Sequence, residues 1–198
     1  MRQGNGSIAA GGILLMALDA FIFSPCRVSA EEASSPKTAP AGPLSKYVAQ
    51  ADDSYTWKVR REGKLGRATF VELTLTSQTW RDIPWKHQLF IVRPSNVDHA
   101  QQALLLIGGG RWREAYAQPP ADGEGLPREA SLLANAAEIL KSPIAVLMQV
   151  PQQPILGGLV EDAAIAYTFD QYLRSGNDDW PLLLPMVKRA VRAMDTVQ

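Results

Sequence analysis

The sequence predicts an α/β fold, an incomplete three-layer sandwich in which antiparallel amino-terminal strands lead into a parallel βαβ sheet. Three observations predict it. Val71, Leu73 and Leu75 alternate with polar residues at the period of two that marks a half-buried strand. Residues 103–107 (ALLLI) and 144–150 (IAVLMQV) are short, almost wholly apolar runs, the pattern of strands covered on both faces. Between and after them, apolar stripes recur at helical spacing.

Residues 1–30 read as an export signal and stand outside the fold. Arg2 gives a positive start, residues 8–23 a mostly apolar stretch, and Val28-Ser29-Ala30 the small-residue pattern for cleavage after Ala30. Asp19 interrupts the apolar stretch, where a charge costs roughly 2.5–3.5 kcal/mol on insertion scales. Cleavage after Ala30 is still expected, with an uncleaved membrane anchor as the alternative. Lipid attachment at Cys26 is disfavoured, because Phe23-Ser24-Pro25 lacks the small residue such sites want before the cysteine. Cleavage removes the one cysteine, so the periplasmic or secreted chain is expected to be held by its core and not by disulfides. Residues 31–43 (EEASSPKTAPAGP) have the composition of a disordered linker, and the ordered domain is expected over residues 44–198.

The elements then follow in order. Residues 55–60 and 67–77 are strand-like and flank Glu62-Gly63-Lys64-Leu65-Gly66, which predicts an antiparallel hairpin. Residues 85–93 (WKHQLFIVR) give a third strand, ended by Pro94-Ser95-Asn96. Residues 103–107 read as a central strand, and residues 144–150 as the last strand of the sheet, leaving a long apolar edge bare. The helix expected at 129–140 carries Leu132, Leu133, Ala136, Ile139 and Leu140 on one face and stops at Lys141-Ser142-Pro143. A second, at 161–173, stacks Ile165, Phe169 and Leu173. A third follows Asp178-Asp179 and Pro181, with the stripe Leu184, Val187, Val191 and Met194, and Pro185 either kinks it or marks its start.

Composition excludes several functions. The 20 basic and 20 acidic residues balance, and removal of a leader holding Arg2, Arg27 and Asp19 leaves 18 against 19. With no basic stripe, nucleic acid is not an expected partner. No second apolar run approaches the ~20 residues that span a membrane, so no stable span is expected after cleavage. Metal sites need several ligands at set spacing, whereas His87 and His99 are the only histidines. Asp52-Asp53 and Asp178-Asp179 suit turns and caps better. No metal or cofactor is expected.

Five segments are specific enough to carry a resemblance: residues 47–57 (YVAQADDSYTW), 75–89 (LTSQTWRDIPWKHQL), 148–156 (MQVPQQPIL), 167–173 (YTFDQYL) and 179–198 (DWPLLLPMVKRAVRAMDTVQ). In residue and order they resemble the PhoPQ-activated pathogenicity-related proteins. The resemblance implies an exported protein of α/β-hydrolase fold, considerably longer than this chain. It further implies that a Gly-x-Ser-x-Gly-like serine turn follows the stretch matching Asp195-Thr196-Val197-Gln198, with the acid and histidine later still. On that expectation the chain is the amino-terminal fragment of a serine hydrolase for ester or amide bonds and has no catalytic nucleophile of its own. The alternative is a non-catalytic exported binding protein on a hydrolase scaffold. Either reading expects a small molecule or a peptide as the substrate.

What the sequence retains of a site is its oxyanion side. Residues 104–107 run into Gly108-Gly109-Gly110, the place where this fold lends a backbone N–H to a developing oxyanion. A tight strand-to-helix turn with no ligand is the plain alternative. Arg111-Trp112-Arg113 follows, either a rim for an acidic or sugar-like substrate or a solvated loop. Gln149, Gln152 and Gln153 fall at the carboxyl edge of the sheet, where α/β folds bind ligands. His87 sits in a strand and is expected to be structural. Most of Trp57, Trp80, Trp85, Trp112 and Trp180 are expected in the core or in cross-strand contacts.

Overall fold

The computed structural model describes residues 42–198, so the expected export signal and nearly all of the expected linker lie outside the described residues. In chain order come helix α1 (Pro43–Ala49) and strands β1 (Thr56–Leu65), β2 (Ala68–Trp80), β3 (Ile83–Arg93) and β4 (Leu104–Ile107). Helix α2 (Ala130–Leu140), strand β5 (Ile144–Leu147) and helices α3 (Glu161–Ser175) and α4 (Leu183–Val197) follow. The strands form one mixed sheet in the order β1-β2-β3-β5-β4. Neighbours from β1 to β5 pair antiparallel, and β4 pairs parallel with β5 across the α2 crossover. No helix among the described residues is long and apolar enough to cross a membrane.

The fold is α/β, with antiparallel strands feeding a βαβ unit. The first hairpin turns on Gly66 and Arg67, with Gly66 at φ 64°, a left-handed conformation that glycine adopts without a steric penalty. The second turn carries no sequence signal. Arg81 and Asp82 are both left-handed, at φ 50° and 60°, the type I′ geometry usually given to Asn-Gly. Packing offsets the strain: the Arg81 guanidinium lies 3.1 Å over the Trp180 ring centre, and Trp80 Nε1 donates to Asp179 O at 2.9 Å. The hairpin tip thus grips the α3–α4 connection.

Side chains alternate across the sheet. Leu73, Leu75, Leu89, Ala145 and Leu147 point to one face, where Ala193 of α4 covers them. Ala68, Val92 and Ile144 meet Ala134 and Ala137 of α2 on the other. Near the β2–β3 turn, Trp80 and Trp85 pack with Tyr47, Ile155, Ala164 and Leu182.

Two strand expectations are corrected. Residues 103–107 read as central, but β4 is the edge of the sheet as described, with Leu104, Leu106 and Ile107 exposed by 43%, 39% and 54%. Residues 144–150 read as the last strand with a bare edge, but β5 lies between β3 and β4, its Ile144, Ala145 and Leu147 buried. The chain crosses back inside β4 to reach β3. An apolar run shows that a strand is greasy but not on which side of its predecessor it lands.

The helix faces are corrected too. α2 buries Ala134 and Ala137, while Leu132 and Ile139 are 69% and 81% exposed. α3 buries Ala164 and Thr168 and leaves Leu173 exposed. α4 buries Pro185, Lys188, Arg189 and Ala193, turning Val187 and Met194 outward. In α2 small residues let the helix approach the sheet closely, so its larger side chains stand on the flanks, whereas α4 buries the long Lys188 and Arg189 beside Ala193. Pro185 sits in the first turn of α4, where a missing N–H costs no hydrogen bond.

Candidate functional site

The glycine segment leaves β4 at the carboxyl end of the parallel pair. Gly108 N donates to Leu147 O at 2.8 Å, and Gln149 N and Val150 N donate back to Gly109 O and Gly108 O at 3.2 and 3.0 Å. The three glycines have different reasons to be glycine. A Cβ on Gly108 would meet Met148 Sδ at 2.8 Å, and Gly110 takes φ +126°. Gly109 has open room and is not left-handed, so the backbone freedom expected of the loop is concentrated in Gly110. Among the described residues, the N–H groups of Gly109 and Gly110 have no acceptor.

Beyond the glycines the chain extends through Arg113 into a single 3₁₀ turn, Glu114–Ala117. Several bonds hold this rim. Thr74 Oγ1 donates to Tyr116 O at 2.6 Å, Arg60 Nε to Gln118 O at 2.9 Å, and Lys58 Nζ to Ala117 O. The Arg60 guanidinium takes both oxygens of Glu124, at 2.7 and 2.8 Å, which with the neighbouring charges holds that carboxyl down to about 2. The same guanidinium reaches Glu72 Oε1 at 2.9 Å, and Arg61 Nε binds Glu72 Oε2. Arg60 reaches inward because β1 bulges there, the register shifting between Val59 and Arg61.

Glu72, fully buried, begins a polar line that ends at the glycines. Gln88 Nε2 donates to Glu72 Oε1 at 2.7 Å, and Gln149 Nε2 to Gln88 Oε1 at 3.0 Å. Gln149 Oε1 in turn accepts from Gln88 N at 2.8 Å. This line borders a cavity of about 1000 Å³ between the sheet and α2. Gly109, Gly110, Arg111, Arg113 and Gln149 all line it.

Other expected site residues lie elsewhere. Trp112 is outside the lining, donating from Nε1 to Glu114 at 2.9 Å and packing edge-on against Tyr116. Gln152 accepts from Lys86 N at 2.7 Å and Gln153 from Glu161 N at 2.9 Å, so both amides hold the backbone. Gly108 supports the loop without lining the cavity. Sequence reasoning missed Arg60, Glu72, Gln88 and Glu124. Charged and amide side chains inside alternating strands were the only signal for Arg60, Glu72 and Gln88, and Glu124, in the loop before α2, had none.

The described residues do contain one serine–histidine contact. Ser77 Oγ lies 3.0 Å from His87 Nε2, at a bulge where the register shifts between Thr76 and Gln78. His87 Nδ1 is 3.0 Å from Met148 O, so Nδ1 donates and Nε2 accepts the hydroxyl proton. Both residues are fully buried, and desolvation, aided by the Arg189 charge, pushes the imidazole down to about 3. Sealed from solvent and neutral, the pair is structural. Arg189 is itself buried, its guanidinium 4.0 Å over the Trp85 ring centre and its own ionisation lowered to about 8 by desolvation. His99 is exposed, and no group of three or more metal-ligating side chains occurs among the described residues.

Comparison with known proteins now adds to this geometry. Over 168 residues, 79% of this chain, the sequence is 32% identical to autocrine proliferation repressor protein A of Dictyostelium discoideum. The chain spans 32% of that relative's length. Among solved structures, a glucuronoyl esterase from Solibacter usitatus is similar at 15% identity and a TM-score of 0.35, over 69% of this chain and 47% of that one. An acetyl xylan esterase from Paenibacillus sp. R4 is similar at 14% identity and a TM-score of 0.33, over 61% and 32%. Residues 44–198 match the PhoPQ-activated pathogenicity-related protein family, and the chain belongs to that family.

Proposed function

We propose that this chain is the amino-terminal, oxyanion-binding portion of an exported hydrolase for ester or amide bonds, and that it holds no nucleophile of its own. One observation carries the reading. The N–H groups of Gly109 and Gly110 have no acceptor among the described residues and sit at the carboxyl end of a parallel strand pair, on the wall of a 1000 Å³ cavity. In α/β folds that end is where ligands bind, and backbone donors fixed there stabilise the negative charge of a tetrahedral intermediate. Each such oxyanion donor contributes only about 3–4 kcal/mol, so the two alone fall short of what a functioning enzyme uses. The buried Ser77–His87 pair, the one serine–histidine contact among the described residues, supplies no accessible attack, and this reading places the serine in a longer chain.

The test compares this chain with a version extended along its reading frame past Gln198, using a fluorophosphonate probe and p-nitrophenyl acetate. The short chain should stay unlabelled and inert, and the extended one should label on a single serine. In the extended chain Gly110→Val should slow hydrolysis about 100-fold by displacing the donor. Labelling of the short chain would overturn the absence of a nucleophile. Export is tested separately, since mass spectrometry of exported material should find Glu31 at the amino terminus.

A second reading is a non-catalytic exported binding protein on the same scaffold. What favours it is the relative named as a repressor of autocrine proliferation. An extended chain that folds, binds ligand and resists the probe would establish it over the first.

A further inference from the structure

The cavity has two chemical ends. Phe70, Phe90, Val92 and Val146 of the sheet line its floor, with Leu132 and Leu133 of α2 beside them. Its charged residues gather with the glycines, and they do not cancel. Arg61 is engaged by Glu72 and Glu124, Glu124 also by Arg60, and Glu129 by Arg128. Arg111 and Arg113 line the same cavity, and neither forms a salt bridge within 4 Å among the described residues. The extended backbone at Arg113 sends alternate side chains to opposite sides, so the two arginines share the cavity side while Trp112 packs away on Tyr116.

We propose that the cavity takes an anionic amphiphile, its carboxylate held by Arg111 and Arg113 and its unbranched hydrocarbon tail laid along Phe90 and Val146. The inference rests on reading the cavity as a substrate site, and it narrows the substrate to esters or amides that carry both an acidic group and an apolar chain. Two guanidinium forks match the geometry of a carboxylate, and both arginines are exposed, so an incoming carboxylate reaches them. A sugar fits less well. Gln88, Gln149 and the glycine N–H groups answer a few of its hydroxyls, but the rest would lie on phenylalanine and valine, and a neutral sugar would leave both cations unanswered.

Calorimetric titration of the full chain with decanoate, decylamine and 1-decanol tests this. Decanoate should bind at one equivalent and about tenfold tighter than decylamine, with the gap narrowing as salt is raised. The double variant Arg111→Gln, Arg113→Gln should erase the gap while leaving 1-decanol unchanged. Leu132 is 69% exposed, so Leu132→Glu keeps the fold, and it should weaken decanoate by repelling both head and tail. Equal binding of decanoate and decylamine by the unaltered chain, or a gap that survives in the double variant, would overturn the proposal. No turnover is involved, so an extended chain that fails to label counts against the hydrolase reading and not against this one.

Discussion

At the scale of single residues, the buried histidine has a measurable signature. His87 titrates at about 3 in the fold, below its ordinary value of 6.5, so folding favours the neutral ring. That stability is fully present above pH 6.5 and is lost as pH falls from there toward 3, at up to about 1.4 kcal/mol per pH unit. Carboxylates titrate over the same window, which makes the difference between variants the useful quantity. Denaturant melts between pH 7 and 4 should show a shallower loss for His87→Gln than for the unaltered chain. Parallel slopes would mean that the ring is protonated or reaches water. The glycines make a second test. Gly110→Ala should cost about 1–3 kcal/mol through left-handed strain, while Gly109→Ala, with open room, should stay within about 0.5 kcal/mol. A triple glycine in sequence does not separate these roles. Only the Met148 sulfur beside Gly108 and the φ of Gly110 do.

At the scale of elements, every helix and strand named from periodicity is present, and the errors concern where β4 and β5 lie in the sheet and which side of each helix faces in. Leu132 and Ile139 satisfy a helical stripe on paper, yet α2 meets the sheet through Ala134 and Ala137. A hydrophobic stripe ranks side chains by greasiness, whereas packing at close range also rewards smallness. Ala137→Leu should therefore destabilise by about 1–3 kcal/mol through overpacking, and Ile139→Lys should change stability by less than about 0.5 kcal/mol. A reversed order in chemical melts would restore the leucine face as the buried one. The site was partly legible for the same kind of reason. Glycines after an apolar strand announce a loop at the sheet's carboxyl end, Arg111 and Arg113 follow from proximity in the chain, and Gln149 from its place at the end of the next apolar strand. Glu72 and Glu124 reach the same place from sequence positions 52 residues apart, and only the bulge at Arg60 brings them together.

At the scale of the whole molecule, the exposed large apolar side chains among the described residues lie mainly along β4, at Trp57 and Val59 of β1, and on the outer flanks of the helices. Leu104, Leu106 and Ile107 present an unpaired strand edge among the described residues, the feature that recruits other chains into a sheet. Light scattering on warming should show Ile107→Lys aggregating at a higher temperature than the unaltered chain and binding less of a hydrophobic dye. An unchanged onset would place the sticky surface elsewhere. The sequence pointed to such an edge but assigned it to residues 144–150. The contact between the β2–β3 turn and the α3–α4 connection bears on how the molecule meets a protease. A segment such as Asn177-Asp178-Asp179, exposed and rich in small polar residues, is where cleavage enzymes usually enter, because they must pull about ten residues into an extended groove. Here Arg81 lies on Trp180 and Trp80 holds the carbonyl of Asp179, so that segment cannot be drawn out without unfastening a hairpin 99 residues earlier in the chain. Limited proteolysis should therefore spare this segment in the unaltered chain and cut it in Arg81→Ala.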